Sequence, residues 1–417
     1  MDKSTEYLRE DENVAQTSTQ TGRAVPWMEA RTIVIDRVSR EAARPSVERV
    51  DLSNADGRVL AEDVAADRDY PPLDRTARDG FAVRSADVPG RFRVIGEVRA
   101  GDQFSGSVGS GQAVEIMTGA PIPDGADTII MVEHVRRDGE FVEFTGDAPA
   151  GQFINERGGE APAGRVVLRS GTRIGIAEIA MLAAVGRPTV QVFKRPRVAI
   201  IATGDELVEP GEAVAPHQIR NSNAWSLAAQ VTRAGGVPEM LGIARDTEEA
   251  TRPLIERGLE SDLLLLSGGV SAGKYDVVET VLGSLRAEVW FDRVAIQPGQ
   301  PLVFGQARGT FFFGLPGNPA STMVTFEIFA RTALEMLGGQ PPRGPVRTYA
   351  RLKAPFRHRG TLTRFLPAWV SPEGEMIPIS WTGSSDIASL TRANALLVAD
   401  AEKPEWQPGE WMPVILR

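Results

Sequence analysis

The sequence predicts a multidomain α/β protein with a central, parallel-rich α/β domain, β-rich segments before it and a small all-β domain after it. Three observations lead there. A chain of 417 residues exceeds one ordinary core, and about 150 residues per domain gives about three domains. Residues 196–341 alternate strand-like and helix-like segments, the βαβ signature. Short β-branched runs broken by glycine or proline occupy the segments on either side.

The polar, acidic stretch over residues 1–25 lacks the cationic start and apolar run of a signal peptide and reads as a mobile tail. MEARTIVIDRVSREA then carries apolar residues at helical spacing and stops before Pro45, where proline blocks continuation. From Arg91 to Thr145 the texture suits a small antiparallel β unit, and SGSVGSG at 105–111 reads as a loop because it lacks the GxGxxG spacing. IGIAEIAMLAAV is a second helix with Gly186 at its C-cap. Arg195-Pro196 marks a boundary, after which PRVAIIATG, DLLLLSGG and TFFFGLPGNP are continuous apolar runs ending in glycine, as strands buried on both faces should be. Past Pro341, Pro342 and Pro345 the β texture returns in VRTYARLKA, TRFLPAWV, ALLVADA and WMPVILR.

Composition removes several classes of function. Lys+Arg number 46 against 55 Asp+Glu, a net charge of −9, which disfavours nucleic acid because that partner needs a cationic footprint. Cysteine is absent, so disulfides, thiolate nucleophiles and cysteine metal sites are excluded, and a cytoplasmic setting is expected. The three histidines, His134, His217 and His358, show no paired ligand spacing. Apolar runs fall short of the ~20 residues a membrane helix needs.

Three strands are expected to end in polar, turn-forming loops: ATGDELVEPG, SGGVSAGKYD and GLPGNPAS. Ligands of open α/β sheets bind outside the carboxyl ends of the strands, so these loops should converge on one crevice. Glycine admits close backbone approach, and Asn318 followed by Pro319 would open a helix whose N-terminus favours a phosphate or another oxyanion. Asp205, Glu206, Asp246 and Asp276 bring an oxygen-only set suited to Mg²⁺. Asp246 and Asp276 also match the capping-box spacing, in Asp246-Thr-Glu-Glu249 and Asp276-Val-Val-Glu279, so helix capping is an equal reading for these two. GGVSAGKY nearly matches a P-loop, but Tyr275 replaces the hydroxyl residue that would bind Mg²⁺, which weakens a nucleotide-hydrolase reading; Lys274 can still reach a phosphate. Asp79 in DRTARDGFAVR and Thr118 in MTGAPIPDGAD stand in loops where a simple turn is the default.

Taken in order, RTARDGFAVR, IMTGAPIPDGAD, VAIIATGDELVEPG, LLLLSGGVSAGKYD and FGLPGNPAS resemble the MoeA-type molybdopterin molybdenumtransferases, the family that includes the gephyrin E domain, from about residue 26 to 417. The resemblance implies the last step of molybdenum cofactor synthesis: adenylylated molybdopterin is bound, molybdate supplies the metal and AMP is released with the help of Mg²⁺. It implies catalytic roles for Asp79, Thr118, Glu206, Asp246 and Asp276, the last three also as metal ligands. Cofactor-binding roles follow for Thr203, Gly204, Asp205, Ser267, Gly268, Gly269, Ser271, Lys274, Arg293, Pro298, Pro316, Gly317, Asn318 and Pro319. It further implies a homodimer in which Asp79 and Thr118 act in trans, with a molybdopterin adenylyltransferase and molybdoenzyme acceptors or chaperones as partners. With it the chain divides into a tail (1–25), a discontinuous elongated N-terminal domain (26–66 and 165–195), an inserted β-rich domain (67–164), an α/β molybdopterin-binding domain (196–341) and a β-barrel-like C-terminal domain (342–417). The chain departs from the family pattern at three residues, Gln297, Gln300 and Ala161, in two segments. Gln297-Pro-Gly-Gln300-Pro stands where a lysine-containing KPGKP is usual, and Gly159-Glu160-Ala161 where GED is usual. Arg293, Lys274, Arg359 and Arg364 are the cations that could replace the two lysines, and a noncatalytic molybdopterin-binding paralogue or scaffold is the alternative these departures raise.

Overall fold

The structure, a computed structural model, describes residues 23–269 and 277–416. The expected tail up to residue 22, and Ser271, Lys274, Tyr275 and Asp276 with the near-match to a P-loop, lie outside the described residues. The chain packs as two units, residues 49–192 and a larger one in which residues before 49 join those from 193 onward.

Helix α1 (Trp27–Glu41) buries Trp27, Ala30, Val34 and Val38 along one stripe, the i, i+3, i+4 pattern visible in the sequence. They enter the core of the larger unit beside Leu334 and Phe329.

In the smaller unit, β1 (Gly80–Val83), β2 (Gly90–Val98), β3 (Gln112–Ile116), β4 (Thr128–Met131), β5 (Arg136–Asp138) and β6 (Phe141–Phe144) form one sheet in the order β4-β1-β3-β2-β6-β5. Alternation puts Phe81, Phe92 and Val142 in one apolar cluster and Ala82, Val98 and Ile116 in another. Not all of this sheet is antiparallel as expected: β2 and β3 run parallel. The reason is the connection over residues 99–111, which is long enough to carry the chain back to the start of a parallel neighbour. Helix α2 (Ile176–Ala184) opens where Glu178 accepts the Gly175 N–H and ends at Gly186 with φ +71°.

The α/β region of the larger unit comprises β7 (Arg197–Thr203), α3 (Asn223–Arg233), β8 (Val237–Ala244), α4 (Glu248–Gly258), β9 (Leu263–Ser267), α5 (Val277–Ser284), β10 (Glu288–Arg293), β11 (Pro301–Ala307), β12 (Thr310–Leu315), α6 (Pro319–Thr325) and α7 (Arg331–Leu337). The sheet order is β8-β7-β9-β12-β11-β10. The first four are mutually parallel, and β11 runs antiparallel to both β12 and β10. Val198, Ile200, Leu263, Leu265, Phe311 and Phe313 face the cluster that holds α1 and α3, whereas Ala199, Ile201, Leu264, Leu266 and Phe312 face the one that holds α4 and α5. Helices on both faces explain the unbroken apolar runs.

Beyond the sheet, β13 (Arg347–Leu352), β14 (Thr363–Val370), β15 (Glu375–Pro378), β16 (Ala395–Ala399) and β17 (Trp411–Leu416) close into a five-stranded barrel, β14-β15-β13-β17-β16 and back to β14. The short helix α8 (Ile387–Thr391) precedes β16. Among the described residues no helix is long and apolar enough to cross a membrane.

Candidate active site

Register fixes the site. Thr203 pairs with Ala244, Ala202 with Ser267, and Ser267 with Leu315, so β8, β7, β9 and β12 end side by side and release their loops into one place. A cleft of about 940 Å³ lies there. Its walls include Thr203, Gly204, Glu206, Asp246, Ser267, Gly268, Gly269, Pro316, Gly317, Asn318 and Pro319 from the sequence reading, joined by Ser385 and Ile387 from the barrel region.

Each loop is held by its own bonds. One Arg245 guanidinium nitrogen, Nη1, donates to the carbonyls of Gly204, Asp205 and Leu207 at 3.3, 2.9 and 3.0 Å, fixing the turn that presents Glu206. The Glu206 carboxylate lies over Gly204, so close that a Cβ there would collide with it. Asp205 Oδ1 accepts the Asp246 N–H at 3.2 Å, which couples the β7 and β8 loops. The capping alternative for Asp246 is displaced by one residue: Thr247 is the N-cap of α4 and its hydroxyl accepts the Ala250 N–H. The Asp246 carboxylate therefore needs no helix to explain it. In the β12 loop, Asn318 holds the N-cap position with Pro319 at the first turn, but its side chain makes no capping bond. The Thr322 hydroxyl instead pins the loop, with Oγ1 2.6 Å from the Pro316 carbonyl.

A second cleft of about 510 Å³ shares Pro301, Pro316 and Asn318 with the first. Gln297, Pro298 and Gln300 line it, and Arg364 reaches it because Ile296–Gln297 pair in parallel with Thr363–Arg364 of β14. Among the described residues no carboxylate pairs with Arg364, and its Nε is buried without a partner. Burial, and then the neighbouring Arg359, hold its pKa below the ordinary arginine value.

The turn at 382–386 edges both clefts. Asp386 organises it, accepting the Ser389 hydroxyl at 2.6 Å and N–H at 3.0 Å and the Thr382 N–H at 3.1 Å. These bonds, the Ser389 hydroxyl first, depress its pKa from 3.8 to about 2. The depressed carboxylate stabilises the fold above about pH 4, and that contribution is lost as pH falls from 4 towards 2. Thermal midpoints of wild type and Asp386→Asn should accordingly differ most at neutral pH and converge near pH 2; a constant difference would separate Asp386 from the titration.

Asp79 and Thr118 come together within the smaller unit. Asp79 Oδ1 accepts the Thr118 N–H at 2.6 Å and hydroxyl at 2.7 Å, and these two bonds, hydroxyl first, lower the Asp79 pKa. Arg293 ends β10 and lines neither cleft. Ala161 is 1% exposed in an apolar cluster with Leu60 and Val190, where alanine satisfies packing that a carboxylate would disrupt. Among the described residues no group of three His, Asp or Glu could by itself hold a metal. Glu206 and Asp246 supply two carboxylates to one cleft, an oxygen donor set that fits Mg²⁺, which completes its shell with water and phosphate.

The sequence reading missed Arg245, Asn223 and the 382–386 turn. Only the adjacency of Arg245 to Asp246 offered a signal.

Comparison with known proteins places these observations. Residues 25–186 match the family described as MoeA N-terminal region (domain I and II), 199–336 the one described as probable molybdopterin binding domain, and 349–416 the MoeA C-terminal region (domain IV). A Bacillus subtilis protein named molybdopterin molybdenumtransferase is 34% identical over 398 residues, covering 92% of each chain. One of the same name from a Nostoc species is 38% identical over 318 residues, 74% of this chain and 73% of its own. The crystal structure of the molybdopterin biosynthesis MoeA protein from Pyrococcus horikoshii OT3 is 30% identical with a TM-score of 0.79, covering 95% of this chain and all of that one. With three matches in order and relatives 34% and 38% identical over 92% and 74% of this chain, the chain belongs to the MoeA family.

Proposed function

We propose that this protein is a molybdopterin molybdenumtransferase that inserts molybdenum into adenylylated molybdopterin and releases AMP. The observation that carries the reading is the convergence of the β7, β8, β9 and β12 loops, with Glu206 and Asp246, on one cleft, in a chain 34% identical along 92% of its length to an enzyme of that name.

The phosphoanhydride of the substrate belongs beside Gly268, Gly269 and Gly317, where the lack of side chains leaves backbone free to approach phosphate oxygens. Thr203 and Ser267 add hydroxyls to the same wall. Glu206 and Asp246 would hold Mg²⁺, with Asp276 as the third ligand that the family resemblance implies. When bound, the cation neutralises phosphate charge and makes phosphorus easier to attack. The dithiolene sulfurs that receive molybdenum belong to the ligand, so a chain without cysteine offers no competing thiolate.

Molybdate, the second substrate, would enter the cleft that Arg364 lines together with Gln297 and Gln300, where a guanidinium with no carboxylate partner among the described residues can bind an oxyanion. Arg364→Ala should raise the molybdate concentration for half-maximal rate by about tenfold or more, the worth of a charged hydrogen bond, while leaving AMP affinity within about twofold. Unchanged molybdate dependence would remove Arg364 from this role.

We further propose a cytoplasmic homodimer in which Asp79 and Thr118 serve the site of a second copy, supplied by a molybdopterin adenylyltransferase and unloading to a molybdoenzyme or its chaperone. Sedimentation showing only monomer would count against the shared site. The function itself is tested by incubating purified protein with adenylylated molybdopterin, Mg²⁺ and molybdate and measuring AMP and cofactor. Substrate binding without AMP release would refute it.

A further inference from the structure

We infer that Asn223 is a positioning residue that sets the polarity of the Ser267 hydroxyl, leaving its proton to be donated to an anionic oxygen of the ligand; only the identity of that ligand, a phosphate ester, rests on the function proposed above.

Donor counting leads to it. Asn223 opens α3, whose Ala224, Leu227 and Val231 are buried in the core, so its backbone has little freedom. The residue is 9% exposed. Nδ2 lies 2.7 Å from the Gly317 carbonyl oxygen and 2.9 Å from Ser267 Oγ. A carbonyl only accepts, so the NH₂ end of the amide must be the end that faces Gly317. The second hydrogen of that nitrogen then goes to Ser267, whose oxygen becomes an acceptor. Oδ1 has no partner, so nothing favours the flipped amide.

Ser267 must therefore send its own proton elsewhere. It ends β9 at 2% exposure, lines the cleft together with Asn223, and has no acceptor for that proton among the described residues. An O–H aimed at a phosphate oxygen forms one of the stronger hydrogen bonds available to a neutral side chain. Asn223 thus joins the ends of β9 and β12 and orients one donor through another residue, without itself needing to touch the ligand.

Reversing the polarity tests this. In Asn223→Asp a carboxylate occupies the same volume but accepts the Ser267 proton instead of donating to its oxygen. With AMP as the probe in calorimetric titrations, Ser267→Ala should weaken binding about tenfold. Asn223→Asp should weaken it about a hundredfold with Ser267 present, but no more than about tenfold in the Ser267→Ala background, where only charge repulsion remains. Asn223→Ala provides the same cycle with no added charge, should the aspartate variant not fold: a loss of several-fold, present only when Ser267 is intact. An Asn223 effect of equal size in both backgrounds would make the residue merely structural and overturn the inference, as would wild-type AMP affinity in Ser267→Ala. AMP release by the wild type alongside such a flat cycle would sink the Asn223 role alone. A wild type that neither binds nor releases AMP would refute the proposed function and this inference together.

Discussion

Glu206→Gln is expected to lower AMP release by about a thousandfold, the scale seen when a group that stabilises developing charge is removed from an active site. The substitution keeps size and shape. Glu206 is exposed, and among the described residues no hydrogen bond or ion pair engages its carboxylate, so the fold has little to lose and stability should stay within about 0.5 kcal/mol. That separation of effects makes the residue informative. Its neighbour provides the contrast: Asp205 spends an oxygen on the Asp246 N–H, and Asp205→Asn keeps an oxygen in that place, so its activity should fall by no more than about tenfold. Steady-state AMP release measured across a Mg²⁺ series reads both. The loss in Glu206→Gln should be partly recovered at high Mg²⁺ if the carboxylate holds the cation. Turnover at the wild-type level would remove Glu206 from the chemistry.

Adjacent carboxylates with different surroundings illustrate what sequence carries and what it does not. The α/β strands were legible because burial on both faces leaves unbroken apolar runs such as Leu263–Leu266 and Phe311–Phe313, and nothing in the tertiary fold competes with that signal. The loops at their ends were legible through glycine and proline. The capping spacing at Asp246 was real but placed the cap one residue early, since Thr247 offers its own oxygen to the same turn. The parallel pairing of β2 and β3 was not legible, because local texture records strand propensity and not the path of the connection between strands.

Polar residues that act through tertiary placement left still less trace. Arg245 serves three carbonyls that only the folded turn brings to one nitrogen. Arg364 stands far along the chain from Gln297 and Gln300 and reaches their cleft by strand pairing. The departure from a lysine-rich loop was visible in sequence; of the cations the sequence offered, register brings Arg364 to the cleft that Gln297 and Gln300 line, while Arg293 lines neither cleft.

Gly268→Ala should reduce AMP release by at least about a hundredfold and cost about 2 kcal/mol or more of stability, although it adds a single methyl group. Gly268 has φ +94°, a region in which a side chain costs roughly 1–3 kcal/mol. Space compounds the strain: a Cβ there would stand 2.7 Å from the Thr203 carbonyl oxygen and 2.9 Å from its hydroxyl. Thr203 cannot retreat, since it ends a strand paired on both sides, with β8 and β9. The loop must move instead, and Gly268 donates its N–H to the Leu315 carbonyl at 3.1 Å, so movement loosens the junction of β9 with β12 that shapes the cleft. Gly317 is the control. Its φ is not in the left-handed region, and a Cβ there would meet only Gly268 Cα at 3.7 Å, ordinary contact. Gly317→Ala should therefore keep the wild-type thermal midpoint within about 2 °C, so any activity it loses reports crowding of the ligand and not damage to the fold. If instead Gly268→Ala were as stable and active as wild type, the close approach of the β9 loop to Thr203 could not be what forms the phosphate wall, and the roles assigned to Gly268 and Gly269 would fall with it.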